Sequence, residues 1–198
     1  MQENKVMIVG LGNPGPQYET TRHNAGILAL DFFAGREGLA INSVKFQGLF
    51  SAVRLHGRQA ILLKPQNFMN RSGECVAAFA HYFDVKPQDI LVLHDDLDLA
   101  PGRLKMVSGG GAGGHNGIRS LLASLGSGDF VRLKIGIGHP RDDEETRAVP
   151  VERYVLSRMS DDQWNRFQDN LPRIAEGIST FIAQGVSPAM NSMNARQR

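Results

Sequence analysis

Short apolar runs that stop at polar turns alternate along this chain with stretches of helical periodicity, and that alternation restricts it to a β-sheet covered by helices. Residues 5–11 (KVMIVGL) are rich in β-branched side chains and halt at Gly12-Asn13-Pro14-Gly15, the pattern of a buried strand ending in a turn. Over 23–38 the apolar residues Ile27, Leu28, Leu30, Phe32 and Phe33 recur at helical spacing, which predicts a first helix. Runs 44–55 and 59–63 flank His56-Gly57-Arg58 as a hairpin closed by Pro65, and 72–83 reads as a second helix. The most apolar strand, 90–94, delivers Asp95-Asp96-Leu97-Asp98 at its carboxyl end. Basic and apolar residues alternate over 103–107, a glycine-rich loop covers 108–114, and a helix is expected over 116–125. A strand over 131–137, a polar loop over 139–150 and a last helix over 160–184 complete the chain, with Pro172 expected to kink or split that helix. This order predicts an α/β fold: a single-domain three-layer sandwich over residues 1–198, with a twisted mixed β-sheet flanked by helices.

Composition narrows the class. Of 198 residues, 41% are apolar and 21% charged, which supports one core and argues against disorder. Lys plus Arg (22) against Asp plus Glu (20) leaves a formal charge of +2, too mild to mark a nucleic-acid binder by itself. The single cysteine, Cys75, cannot close an intramolecular disulfide, so a reducing, cytoplasmic location is expected. With no leader pattern and no apolar stretch approaching the roughly 20 residues of a membrane helix, no membrane association is expected.

Groups with chemical potential follow strand ends: Asn13 after the first strand, Asn67 and Asn70 after the hairpin, Asp95 after the fourth. Ligands of open α/β sheets bind outside the carboxyl ends of the strands, so these groups converge if the strands run parallel. His23 lies one loop beyond Asn13, and His115-Asn116 one loop beyond Lys105. A neutral imidazole with an acidic partner activates water near neutral pH, and asparagine amides supply donors for an oxyanion. The alternative is that His23 caps a helix beginning in Thr21-Arg22-His23-Asn24 while Asp95-Asp96 is a solvated turn.

Other chemistries fit less well. There is no G-x-S-x-G elbow, and Cys75 lies in an apolar run. His94, the acids that follow it, His115 and His139 offer metal ligands, but H-E-x-x-H is absent and adjacent strand residues point to opposite faces, so no metal is expected. Gly10-Leu11-Gly12-Asn13-Pro14-Gly15 satisfies the dinucleotide motif, with Asp31 near the distance of a ribose-binding acid. Pro14 and Pro16 nevertheless remove amides where a helix should begin, leaving nicotinamide or flavin binding as the second enzyme reading. The glycine loop suits phosphate, because small residues admit close approach and the following helix points amides at an anion. Across 103–141, Arg103, Lys105, Arg119, Arg132, Lys134 and Arg141 face only Asp129, a local positive field suited to a few phosphates.

Taken together, V-G-L-G-N-P-G at 9–15, Y-E-T-T-R-H-N-A-G at 18–26, K-P-Q-N-F-M-N-R-S-G at 64–73, H-D-D-L-D-L at 94–99, G-G-A-G-G-H-N-G-I-R-S-L at 110–121 and I-G-I-G-H-P at 135–140 resemble the bacterial-type peptidyl-tRNA hydrolase family. The resemblance implies a monomeric hydrolase without cofactor that cleaves the ester between a peptide and the terminal ribose of tRNA, recycling peptidyl-tRNA dropped by ribosomes. It implies His23 as base, Asp95 as the group that orients it, and Asn13 as a catalytic amide. Tyr18, Phe68, Met69, Asn70, His115 and Asn116 would bind substrate, and Lys105 and Lys134 the acceptor-stem phosphates beside the CCA end. Some relatives carry a second basic residue where this chain has Val107, and lysine at 134 lacks the bidentate fork of arginine. The tail around Ala189-Met190-Asn191-Ser192-Met193-Asn194 either covers the site or docks on the surface.

Overall fold

A computed structural model describes residues 5–195. Seven strands form one sheet in the order β2-β3-β4-β1-β5-β7-β6. Strand β1 (Lys5–Gly10) is central and pairs in parallel with β4 (Arg58–Pro65) and β5 (Ile90–Asp96), and β7 (Val131–Gly136) extends the parallel set beyond β5. Both edges are antiparallel: β2 (Ser43–Lys45) and β3 (Gly48–Leu55) on one side, β6 (Leu104–Ser108) on the other. The mixed sheet predicted from the hairpin is therefore present, with a second antiparallel edge at β6.

The period of two along β1 sorts its side chains into two layers. Val6 and Ile8 join the core under α1 (Ala25–Arg36) and α5 (Asp161–Gln184), with Phe33, Ile174, Ile178 and Phe181. Met7 and Val9 face α2 (Ser72–Phe83) and α3 (Asn116–Leu125), with Val76, Phe79, Ile118 and Leu121. Cys75 lies in this second layer, where burial pushes its thiol up to about 12 and removes it as a nucleophile.

Some elements differ from the sequence expectation. The run 44–55 is two strands, because Phe46 (φ 45°) and Gln47 (φ 57°) adopt left-handed backbone and reverse the chain between β2 and β3. The first helix starts at Ala25, after a 3₁₀ turn, Arg22–Asn24. Helix α5 runs unbroken through Pro172. Pro172 and Gln168, whose carbonyl loses its donor, are both exposed, while Phe167 and Ile174 hold the two halves against the core. Two short helices, α4 (Val151–Val155) and α6 (Val186–Asn194), escaped the periodicity argument. The tail docks: Asn194 accepts from Met106 N at 2.9 Å and donates to Met106 O at 2.8 Å, capping the β6 edge. Residues 196–198 of that tail lie outside the described residues.

The glycines of the dinucleotide-like motif serve packing. A Cβ on Gly10 would stand 2.7 Å from the Gly26 carbonyl oxygen, and one on Gly26 would stand 2.2 Å from the Leu93 oxygen. Helix α1 thus begins far beyond that motif and lies tightly on β1 and β5, while Asp31 is paired with Lys64 at 2.7 Å. Gly26→Ala is expected to cost at least about 3 kcal/mol, since the clash is with backbone on a central strand. A urea-unfolding midpoint equal to that of the wild type would refute this.

Candidate active site

The chain passes from β1 to β4 on one side and then, through α2, to β5 on the other, so the crevice between the carboxyl ends of β1 and β5 is the switch point of the sheet. Two elements place chemistry there. The 3₁₀ turn after β1 carries His23, and the last residues of β5 carry Asp95. Arg22 anchors the turn: its guanidinium donates to Ser157 Oγ and Arg158 O at 2.6 Å and to Gln163 Oε1 at 2.6 Å, and stacks 4.0 Å over the Tyr154 ring. The position of His23 is consequently set by the α4–α5 segment, where Tyr154 stands 132 residues beyond Arg22 in sequence.

His23 Nδ1 lies 2.9 Å and 3.0 Å from the two oxygens of Asp95. A carboxylate only accepts, so Nδ1 carries the proton and Nε2 of the neutral ring keeps its lone pair. His115 Nε2 lies 2.9 Å from Asp95 Oδ1. Its Nδ1 accepts from the amides of Gly117 and Ile118 at 3.1 and 3.3 Å, which fixes the ring as the Nε2–H tautomer donating to Asp95. Burial opposes ionisation of Asp95, yet the adjacent His23 and His115, with their hydrogen bonds, hold its carboxyl well below the usual range. Asp95 is therefore a buried carboxylate held between two imidazole donors.

His94 completes a line of rings, its centroid 4.8 Å from that of His115. Its Nδ1 donates to Asp95 O at 2.7 Å, and its Nε2 is buried without a partner. Burial first, then the neighbouring His115, holds His94 well below the ordinary histidine range, so it stays neutral in the folded chain. The unfolded chain binds that proton below about pH 6.5, so this contribution to stability is present above that value and is lost as pH falls toward the depressed folded value. His94→Asn, which keeps a donor but does not titrate, should make the urea midpoint fall less steeply between about pH 6.5 and 4.5 than in the wild type. Parallel curves would show that His94 makes no such contribution.

Asn13 is held on three sides. Its backbone N–H donates to Asn24 Oδ1 at 2.9 Å, its carbonyl accepts from Asn24 Nδ2 at 3.0 Å, and its own Oδ1 accepts from Met69 N at 2.8 Å. With the oxygen taken, the Nδ2 amide hydrogens remain for a ligand. Asn13, His23, Phe68, Met69, Asn70 and Asn116 line one groove of about 200 Å³ together with Glu152, Val155 and Leu156. Tyr18 ends a separate 3₁₀ turn, Pro16–Tyr18, and lines neither this groove nor the cavity next to it.

That cavity, of about 560 Å³, lies under the glycine loop and shares His23, Asn116, Glu152 and Val155 with the groove. Lys134 and Arg132 line it from β7; Lys105 is the register partner of Lys134 on β6 and projects from the same face, exposed. The local field is weaker than a count along the sequence suggests. Lys134 is paired with Asp96 at 2.7 Å, and Arg132, buried, donates to Gly111 O at 2.8 Å and to Gly109 O. Gly110 takes φ 99° where a Cβ would strike that guanidinium, so Arg132 holds the loop rather than an incoming phosphate. The amides expected to face an anion at the start of α3 are taken too, those of Gly117 and Ile118 by His115.

Sequence reasoning missed four contributors. Asn24 and Arg22 lay inside a motif already singled out, and only the tertiary contacts reveal what they clamp. Asp96 lay in the acidic run after the fourth strand, but only the structure shows its pairing with Lys134; Glu152 carries no spacing signal and reaches the cavity from the short α4. His23, Asp95 and His115 also place three ligating atoms within 4.8 Å of one another, a donor set of the kind zinc takes. The tautomer lock on His115 argues against that use, since its Nε2 lone pair is absent when Nδ1 accepts two backbone amides.

The family model described as peptidyl-tRNA hydrolase matches residues 7–198. The peptidyl-tRNA hydrolase of Symbiobacterium thermophilum is 46% identical over 190 residues, covering 95% of this chain and 98% of that protein. That of Desulfotalea psychrophila is 42% identical over 195 residues, covering 98% and 99%. A crystal structure of peptidyl-tRNA hydrolase from Acinetobacter baumannii superposes with a TM-score of 0.88 at 36% identity, covering 100% of this chain and 98% of that one.

Proposed function

The chain belongs to the peptidyl-tRNA hydrolase family and hydrolyses the ester bond of peptidyl-tRNA, and from that premise we propose that His23 is the base that activates water, with no covalent intermediate. His23 Nε2 takes a proton from water as the hydroxide attacks the ester carbonyl. The imidazolium that forms is stabilised by the Asp95 carboxylate at Nδ1, and the tetrahedral oxyanion by the Nδ2 amide of Asn13 and by Asn116. His23 then returns the proton to the departing ribose oxygen. The observation that carries this reading is the position of His23: bonded to a buried carboxylate and bordering both the groove and the larger cavity.

In this reading the groove between Phe68, Met69, Asn70 and Asn116 holds the acylated residue, and the cavity under the glycine loop holds the CCA end, with His115 and Asn116 at the junction. Lys105 and Lys134 meet acceptor-stem phosphates, Lys134 by exchanging Asp96 for phosphate. The enzyme needs no cofactor and acts as a cytoplasmic monomer over residues 1–198, freeing tRNA and peptide after premature ribosome drop-off. No helix among the described residues is long and apolar enough to cross a membrane.

The direct test incubates the protein with N-acetyl-aminoacyl-tRNA and with unblocked aminoacyl-tRNA and measures released acyl groups. Selective release from the blocked substrate, undiminished by a chelator, is the expected result; chelator-sensitive release would return the three-ligand cluster to consideration as a metal site. Lys105→Ala should raise KM and reduce the slope of log KM against log salt by about one charge, kcat being nearly unchanged. An unaltered slope would mean that Lys105 meets no phosphate.

A further inference from the structure

A third cavity, of about 480 Å³, adjoins the groove on the side away from the glycine loop. It opens over the carboxyl ends of β1 and β4, against α1, and Asn13 lines both it and the groove. The groove therefore lies between the other two spaces, sharing His23 with the larger cavity and Asn13 with this one. We infer that this third cavity is the subsite for the peptide residues that precede the ester-linked one.

Three observations favour a peptide there. The first is continuity: an acyl carbonyl held at Asn13 and His23, with its ribose side in the larger cavity, has its peptide side directed past Asn13. The second is charge. The lining carries Glu19 and Asp31 against Lys64, and Lys64 is spent on Asp31 at 2.7 Å, so the space is net acidic and disfavours phosphate, whereas the larger cavity balances Arg119, Arg132 and Lys134 against Asp95, Asp96 and Glu152. The third is composition: Ile27, Leu28, Leu49 and two prolines give apolar walls, and Asn24 and Gln66 supply amides at the margin, which suits a backbone rich in donors and acceptors with side chains of mixed size. The groove, less than half as large, leaves longer peptides in need of such a space.

This inference rests on the hydrolase reading, and the experiment separates the two. Wild type, Thr20→Trp and Leu28→Phe are assayed on N-acetyl-aminoacyl-tRNA and on a tetrapeptidyl-tRNA sharing the same ester-linked residue. Thr20 is exposed at the cavity wall, so its replacement narrows the space without touching the core, and Leu28→Phe narrows it from the helix side. The ratio of KM for the long substrate to KM for the short one should rise about tenfold in both variants, the size expected when roughly 1.4 kcal/mol of side-chain burial is lost, with kcat little changed. Should wild type fail to release the acetylated residue, the hydrolase reading fails. Release with an unchanged KM ratio in Thr20→Trp, whose fold circular dichroism would verify, overturns the subsite alone.

Discussion

His23→Ala is expected to lower kcat by about 10²- to 10⁴-fold, the usual worth of a positioned general base, while leaving binding of deacylated tRNA within about twofold of wild type. The split follows from the geometry. The imidazole borders the groove at the strand-end crevice, whereas the lysines assigned to phosphate stand on β6 and β7. The turn that carries His23 should persist without the ring, because Arg22 anchors it through Ser157, Arg158 and Gln163. Single-turnover hydrolysis together with a filter-binding measurement on deacylated tRNA tests both halves. Near-wild-type turnover in the alanine variant would remove the mechanism.

Asp95→Asn should be nearly as damaging, although it changes only one atom type. Two imidazole N–H groups converge on the carboxylate, from His23 and from His115, and a carboxylate accepts both. Both rings bond Oδ1, and His23 Nδ1 also lies 3.0 Å from Oδ2, so an asparagine whose oxygen keeps the bond to His115, a ring with its tautomer fixed by the Gly117 and Ile118 amides, sets its NH₂ against His23 Nδ1. His23 must then present a lone pair at Nδ1 and carry its proton on Nε2, where the base is needed. A loss in kcat of about 10²- to 10⁴-fold follows, and adding the substitution to His23→Ala should cost almost nothing further, because Asp95 acts through that ring. Nitrogen-15 NMR should report the exchanged tautomer. A double variant far slower than His23→Ala would show that Asp95 acts by another route. In the wild type the depressed Asp95 carboxyl stays ionised on acidification, its stabilising contribution complete above about pH 3.9 and lost only as pH falls through the lower folded value, so an acid limb between pH 5 and 7 would not belong to Asp95.

The strands around the crevice were legible because each is a short β-branched run with a turn residue at its end, and a parallel sheet needs little more than that. The same logic located Asn13, His23 and Asp95, since strand ends in such sheets are where side chains escape the core. What failed was whatever depends on a distant partner. The unbroken α5 through Pro172 depends on which face meets solvent, and the turn at Phe46-Gln47 on a pairing between β2 and β3. Counting charges along 103–141 overstated the positive field, because Asp96 and the glycine-loop carbonyls that occupy Lys134 and Arg132 come from other elements.

By itself the order of residues determined the layers, the mixed character of the sheet and the types of group that follow its strand ends, for these follow from local periodicity and from turns that cannot continue a strand. Only the tertiary structure decided the protonation pattern: that one carboxylate serves two rings, that backbone amides lock the second ring, and that Asn24 and Met69 orient the amide of Asn13. Hydrogen-bond direction is a property of who faces whom at about 3 Å, and no spacing along a chain encodes it.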